Sequence, residues 1–585
     1  MTVGEEVASP AVIAGHSPEA TTADFFASED RGWSSPGVAC GPKIAALASL
    51  ANLEPPAPLA SVSYVSRGNV LVVAGGAPER ARRAAQRLAS SLHVTLLDAE
   101  SAALPAVAVW TGRLEGLTGF LGEFDATIAS LRTAEGPVAA AAPARFDLVL
   151  DFSTPGLLTM REPPQGYFRA PADDAALERV VAEMGECVGE FEKPRYFAYR
   201  ESICAHSRSG ITGCNACIEI CSTQAIAADG DHVKVDPHLC MGCGACSTVC
   251  PSGAMSYQFP RVAERGAQLK QLLHAYRNAG GKDACVVFHD AQGRDLLAAA
   301  AEAGQGLAAR ALPLETWHVA AIGLDLMLAA IAFGASQVAV LAAGRQDREY
   351  LAALRGQMAI GETVLHGLGF AGTHFALVEA ADADALVRGL AALAPAAGVS
   401  TAATFLLSND KRTAIEFALE HLARQAPRKV DEIALPPGSP YGEVRVDSAK
   451  CTMCMACVGA CPESALMDGV DQPLLKFLER NCVQCGLCEA TCPEDAVSLV
   501  PRLLLTPAVR EARVLNETRP FHCVSCNKPF GTQQMVEAMM GRLAGHSMFT
   551  EGSALRRLKM CADCRVVDMM AAKDEVSVLK MGGEG

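Results

Sequence analysis

The chain has 585 residues, half of them hydrophobic and only 5% aromatic, with a net charge of −15. That length exceeds what one core supports and predicts several domains, while the hydrophobic content excludes a disordered chain. The acidic balance argues against nucleic acid as a partner, since phosphate contacts need clustered Lys and Arg. It suits docking to a basic patch on a protein.

Residues 1–63 are rich in Ala, Pro, Ser and Gly, which predicts a mostly irregular N-terminal segment with a helix over Pro42–Leu53. The opening residues carry neither a basic n-region nor a twin-arginine pair, so no export signal is read. With reduced thiols, this predicts the cytoplasm.

Residues 64–184 predict a Rossmann-like α/β domain. "NVLVVAGG" reads as a strand, "PERARRAAQRLASSL" as a helix and "VTLLDAE" as a second strand, with "FDLVLDF" as a later one. The loop "AGGAPERA" lies where a dinucleotide fold keeps its phosphate-binding glycines, and Asp98 or Glu100 where the ribose acid stands. A full Gly-x-Gly-x-x-Gly is absent. The loop is either an ordinary turn or a site for nicotinamide or flavin (FAD).

Residues 185–262 form a first cysteine-rich module. In "CMGCGACSTVCPSGA", Cys240, Cys243, Cys246 and Cys250 have the spacing of bacterial [4Fe–4S] ferredoxin ligands, followed by a proline. Three thiolates on one tight loop grip three corners of a cubane. The fourth starts a helix pointing away and serves the neighbouring cluster. A companion run supplies Cys214, Cys217 and Cys221, but Ile211 stands where its first cysteine belongs. Cys204, nine residues back, is the natural replacement. His206, or a three-iron cluster with an open corner, are the alternatives. One cluster is therefore expected on Cys204, Cys214, Cys217 and Cys250, and the other on Cys221, Cys240, Cys243 and Cys246. Ser222 replaces the proline that usually follows such a run, a change read as tolerated.

Residues 263–427 alternate strands and helices, from "ACVVFH" through "QVAVLAAG" and a long helix beginning at Arg348 to "HFALVEA", which predicts a parallel sheet covered by helices. Val319–Ala343 carries one charge, Asp325, and resembles a membrane span in composition. The break "FGAS" divides it instead into a buried helix and a strand.

Residues 428–502 form the second module. Cys451, Cys454 and Cys457 should share a cluster with Cys492, and Cys482, Cys485 and Cys488 with Cys461. Four thiolates leave a cubane no open site, so such clusters move single electrons rather than bind substrate. Acidic neighbours such as Glu463 and Glu494 are expected to lower the potentials.

In residues 503–585, Cys523 and Cys526 are separated by 34 residues from Cys561 and Cys564. Two Cys-x2-Cys knuckles suit one tetrahedral site, either zinc or a rubredoxin-like iron. The intervening "TQQMVEAMMGRLAG" reads as an amphipathic helix. The whole predicts an α/β multidomain chain: a Rossmann-like domain, two bacterial-type dicluster ferredoxin modules with a parallel-sheet domain between them, and a zinc-ribbon-like end. Three cysteines, Cys40, Cys187 and Cys285, stand outside the ligand runs.

In the central domain, "AFGASQVAVL" followed by "GQMAIGETVLHGLGF" resembles the small delta subunit of methyl-viologen-reducing hydrogenases. That family binds a [2Fe–2S] cluster with several cysteines. Only Cys285 is present here, so the resemblance implies a docking fold without its cluster. From about Asp24 onward, "GWSSPGVACGPKIAALASLA", "PPQGYFRAP", "VGEFEKPRYF", "SICAHSRSGITGC" and "LCMGCGACSTVCPSGAMSY" resemble a family of large bacterial 4Fe–4S-binding, polyferredoxin-like proteins. Its genes commonly accompany those of molybdenum- or tungsten-dependent formate dehydrogenases. The resemblance implies a cytoplasmic electron carrier with a formate dehydrogenase as partner. A flavin-containing oxidoreductase and an accessory protein for metalloenzyme assembly are the other readings. No Ser/His/Asp or Cys/His nucleophile context is found, and His206, His318 and His522 are read as ordinary polar positions.

Overall fold

The computed structural model describes residues 40–571, apart from 101, 138–142, 345, 471, 544 and 547–551. The irregular chain expected over the first 39 residues lies outside them.

Asn69–Val73 is the centre of the first sheet, flanked in parallel by His93–Leu97 and Leu148–Asp151, with Val107–Phe120 and Tyr167–Arg169 beyond them. Its successive side chains serve opposite faces: Val70 and Val72 pack into one core, Leu71 and Val73 into another. This is why the strand reads as an unbroken apolar run. The crossing helix Pro78–Leu88 buries Ala81, Ala84, Ala85 and Leu88, the stripe expected of a helix lying on a sheet. Val107–Phe120 then leaves the parallel sheet as a long antiparallel hairpin with Glu123–Thr133. Nothing in its polar, glycine-interrupted sequence marked that hairpin. Ser61–Ser66 pairs with Gly189–Pro194, so one ladder runs across the expected boundary at residue 63.

The second sheet is parallel throughout, in the order Ala311–Glu315, Cys285–His289, Gln337–Ala343, Phe375–Ala380. Every residue of the helix Leu324–Ala332 is buried in the core beside it, which accounts for its membrane-like composition. Among the described residues no helix is long and apolar enough to cross a membrane. The helix Gly41–Leu50 belongs to this core: Ala46 packs inside it, and Lys43 Nζ donates to the Ala308 carbonyl at 3.4 Å. The helices Val262–Asn278 and Lys411–Gln425 also pack here.

Each ferredoxin module is a pair of antiparallel ladders carrying short helices after the cysteine loops. In the first, Phe197–Tyr199 pairs with Met255–Tyr257 and Ile226–Asp229 with His232–Val235. In the second, Gly442–Val446 pairs with Val497–Leu504 and Leu466–Asp468 with Leu474–Phe477. The second module continues past residue 502, because Arg513–Glu517 adds a strand to Leu474–Phe477. The carboxyl-terminal segment then forms a hairpin, Pro520–His522 with Pro529–Thr532, followed among the described residues by three helices.

Candidate metal centres

The irregular run of the first module is explained by a small hairpin. Ser207–Arg208 pairs with Ile211–Thr212, and Cys214 N donates to the Ala205 carbonyl at 2.8 Å. The chain thereby folds back and returns Cys204 beside Cys214. Burial pushes the Cys217 thiol up to about 12, with Cys250, Cys214 and Cys204 adding as neighbouring charges. All four predicted members of this set are thus brought together. His206 is buried with Nδ1 3.2 Å from the Cys214 carbonyl, a contact that braces the loop.

Cys221, Cys240, Cys243 and Cys246 line a single cavity closed by Tyr196, Tyr257 and Tyr350. Burial raises the Cys246 thiol well above its ordinary value, with Cys243, Cys240, Cys221 and then Cys217 contributing. Cys217 belongs to the other set, so the two sets of the module are neighbours. In the second module Cys451, Cys454, Cys457 and Cys492 line another cavity with Leu475 and Glu494. Burial pushes the Cys485 thiol to about 12, helped by Cys461, Cys482 and, across the module boundary, Cys214. The fourth cysteine of each run accordingly lies with the opposite run.

These residues fit cubanes. Dense buried thiols resist ionisation without a central cation, and a metal cluster supplies one. Amide donors already point at sulfur: Met255 N to Cys250 at 3.4 Å, Ala465 N to Cys461 at 3.2 Å and Ala496 N to Cys492 at 3.3 Å. Such bonds stabilise thiolate and tune the potential of a bound cluster. Among the described residues no three ferredoxin thiols lie within 4.8 Å of one another, a spread that leaves room for several metals.

The last four cysteines differ in this respect. Cys523, Cys526, Cys561 and Cys564 all lie within 4.8 Å of one another, with Cys526 and Cys561 Sγ 3.7 Å apart. A tetrahedron of thiolates about 2.3 Å from one zinc has an edge of about 3.8 Å. Although burial pushes the Cys523 thiol up, amides of Cys561, Cys526 and Ser525 outweigh it and bring it down to about 6. The set fits one ion. Only the first knuckle sits on a hairpin; Cys561 and Cys564 open the helix Ala562–Ala571, which departs from the ribbon expected.

Two further expectations change. Arg82 donates to Asp98 at 2.8 Å and to Glu100 at 2.9 Å, so both acids at the expected ribose position are engaged within the protein. Gly75, at φ +51°, lies so close to Ser153 that an added Cβ would meet its Cα at 2.6 Å. The loop packs on the backbone that follows the strand Leu148–Asp151, as an ordinary strand-to-helix turn does. Glu463 is pushed up to about 7 by burial, and Glu494 pairs with Arg542, so neither offers the free negative charge read from the sequence. His318 Nδ1 accepts from Ala320 N at 3.1 Å, and His522 Nδ1 lies 2.9 Å from the Asn527 carbonyl. The sequence reading missed Tyr350, which closes one cavity, and the cations Lys411 and Arg412. None sits near a cysteine in the chain, so no local pattern marked them.

Paired ladders, crossed cysteine runs and buried thiol cavities define an iron–sulfur protein built on dicluster ferredoxin modules. Residues 212–254 and 450–497 each match a family described as 4Fe-4S dicluster domain. The first match begins after Cys204. A ferredoxin from Alicyclobacillus acidocaldarius is 44% identical over 62 residues, covering 74% of that protein and 11% of this chain. The chain belongs to the ferredoxin family. It is also 36% identical over 52 residues to hydrogenase-4 component A of Escherichia coli, covering 9% of this chain and 25% of that protein. It is 49% identical over 55 residues to indolepyruvate oxidoreductase subunit IorA of Pyrococcus horikoshii, covering 9% and 8% respectively. The chain thus spans a quarter or less of these two relatives.

Proposed function

We propose that the chain is an electron relay carrying four [4Fe–4S] clusters and one structural zinc ion, passing single electrons between a cytoplasmic oxidoreductase and another carrier. The observation that supports it most directly is the grouping of Cys221 with Cys240, Cys243 and Cys246 in one cavity, and of Cys492 with Cys451, Cys454 and Cys457 in another. A bound cubane held by four thiolates supplies one-electron exchange. The protein's own share is to hold the thiolates at fixed separations, exclude water and aim amide donors at sulfur.

The partner in this reading is a redox enzyme. Two relatives carry the names of a hydrogenase component and an oxidoreductase subunit, and the resemblance described above favours a formate dehydrogenase. The α/β domains and the carboxyl-terminal segment then serve as docking surfaces.

Metal and labile-sulfide analysis of anaerobically reconstituted protein tests the reading. About sixteen iron, sixteen sulfide and one zinc are expected per chain; eight irons or fewer would refute it. Cys461→Ser and Cys492→Ser should each damage the cluster of the opposite run. The isolated chain should turn over neither formate nor NAD(P)H, yet exchange electrons with a low-potential donor. It should also copurify with the partner enzyme.

A further inference from the structure

The helix Lys411–Gln425 starts with two cations directly after its N-cap Asp410, whose carboxylate accepts from Thr413 N. The helix dipole disfavours positive charge at that end. Asp410 and, for Lys411, the nearby Asp325 offset part of it, and the carbonyls these side chains reach supply the rest. Lys411 Nζ donates to three carbonyls, Ser247 at 2.9 Å, Thr248 at 2.6 Å and Cys250 at 3.0 Å. These end the short helix Ala245–Val249 of the first module, where carbonyls lack partners. Arg412 turns the other way. Its guanidinium donates to Pro440 O at 2.7 Å, Arg480 O at 2.7 Å and Cys482 O at 3.0 Å, and lies 4.3 Å from the centre of the Tyr441 ring. Adjacent residues of one helix therefore hold cysteine loops of different modules.

The two loops belong to facing cysteine sets. Cys250 lies with Cys204, Cys214 and Cys217, and Cys482 lies with Cys461, Cys485 and Cys488. Between the sets is a small shared core of Ala205, Ala460, Val483 and Leu487. Gly213 approaches so closely that an added Cβ would meet Leu487 Cγ at 2.6 Å.

We propose that Lys411 and Arg412 are positioning residues that join the two ferredoxin modules into one conductor, fixing the gap between the facing cysteine sets and placing one positive charge beside each. The proposal rests on the four-cluster reading. Each electron accepted at a set adds negative charge next to its cation, so the pair raises the potentials of the two middle clusters relative to an uncharged equivalent. Electrons are thereby drawn from the outer clusters onto the two that face each other at the module boundary.

The test uses the full chain, reconstituted anaerobically and titrated by EPR, with iron counted first. Lys411→Gln should lower the potential of the Cys204/Cys214/Cys217/Cys250 cluster alone, and Arg412→Gln that of the Cys461/Cys482/Cys485/Cys488 cluster alone. In each case a tenfold change in the reduced-to-oxidised ratio at fixed poise is expected, about 59 mV for a one-electron couple. Lys411→Arg and Arg412→Lys should restore the wild-type values, which a staple without electrostatic effect would not require. Spin coupling between the modules should also weaken in the Gln variants. If Lys411→Gln fails to accumulate, Arg412→Gln decides the matter alone. Gln variants that retain wild-type iron, potentials and coupling would overturn the proposal. Eight irons or fewer in the wild type would instead overturn the four-cluster reading beneath it.

Discussion

Ser222 and Tyr350 lie 128 residues apart in the chain and share a hydrogen bond of 2.5 Å inside the protein. Ser222 stands where ferredoxin runs carry proline, and Tyr350 belongs to the long helix Arg348–Leu368 of the central domain. The Tyr350 hydroxyl in turn donates to Cys243, which favours its thiolate. The serine is therefore a contact between domains, and its hydroxyl does something a proline ring would not.

Tyr350→Phe should leave the iron content intact and lower the potential of the Cys221/Cys240/Cys243/Cys246 cluster. A lost hydrogen bond worth about 1 kcal/mol corresponds to roughly 40 mV for one electron. Ser222→Pro should lower the same potential by less, since the tyrosine keeps its bond to sulfur. Potentiometric EPR titration checks both, and an unchanged potential in Tyr350→Phe would count against the bond.

Cys204→Ala should convert one cubane to a three-iron form or lose about four irons. His206→Ala should keep all four clusters and only loosen the hairpin Ser207–Thr212, because its ring braces the Cys214 carbonyl. Iron analysis and the oxidised EPR spectrum distinguish the two. A three-iron signal from the His206 variant alone would reassign the ligand.

Arg502 is the hub of a partly buried ion network in the second module. It pairs with Glu479 at 2.7 Å and Glu443 at 2.6 Å, and both acids are buried. Arg502→Leu leaves Glu443 with Arg445 and Arg513, and Glu479 with Arg513 alone, so it should cost less than the roughly 3–5 kcal/mol of a fully broken buried pair. The readout is the denaturant midpoint for loss of the iron–sulfur absorbance of that module. The double variant with Glu479→Gln should recover part of the loss.

Chelating the metal at Cys523, Cys526, Cys561 and Cys564 should release the carboxyl-terminal segment while iron stays in place. A closed four-thiolate site supplies folding free energy locally, on the order of 10 kcal/mol in small metal-dependent domains. The segment also touches the second module: Thr532 Oγ1 donates to the Thr452 carbonyl at 3.0 Å, and Arg542 pairs with Glu494. Hydrogen exchange should therefore rise across residues 520–571 and, secondarily, around Thr452. Loss of iron together with zinc would show that the two are not independent.

The sequence by itself determined the local chemistry. The spacings around Cys240, Cys451 and Cys482 are set by the reach of a tight loop around a cubane, and that constraint acts within fifteen residues. The strands Asn69–Val73, Cys285–His289 and Gln337–Ala343 were legible for a similar reason, since a strand buried on both faces is apolar along its interior, with polar residues confined to its ends. Cys204 was legible only as a candidate, because a ten-residue detour has no characteristic spacing. The hairpin Ser207–Thr212 that closes it depends on backbone pairing rather than on composition.

What only the tertiary structure decided is how distant pieces meet. Asp98 and Glu100 looked available for a ribose until Arg82 was seen to hold them. Ser222 looked like a tolerated loss until Tyr350 was placed against it. The helix Gly41–Leu50 packs beside Val262–Asn278, two hundred residues on, and the hairpin Val107–Thr133 follows no simple alternation. Nothing in the sequence marked Lys411 and Arg412. Their partners are backbone carbonyls, and a carbonyl is the same group at every residue, so no sequence pattern records which one a cation will find.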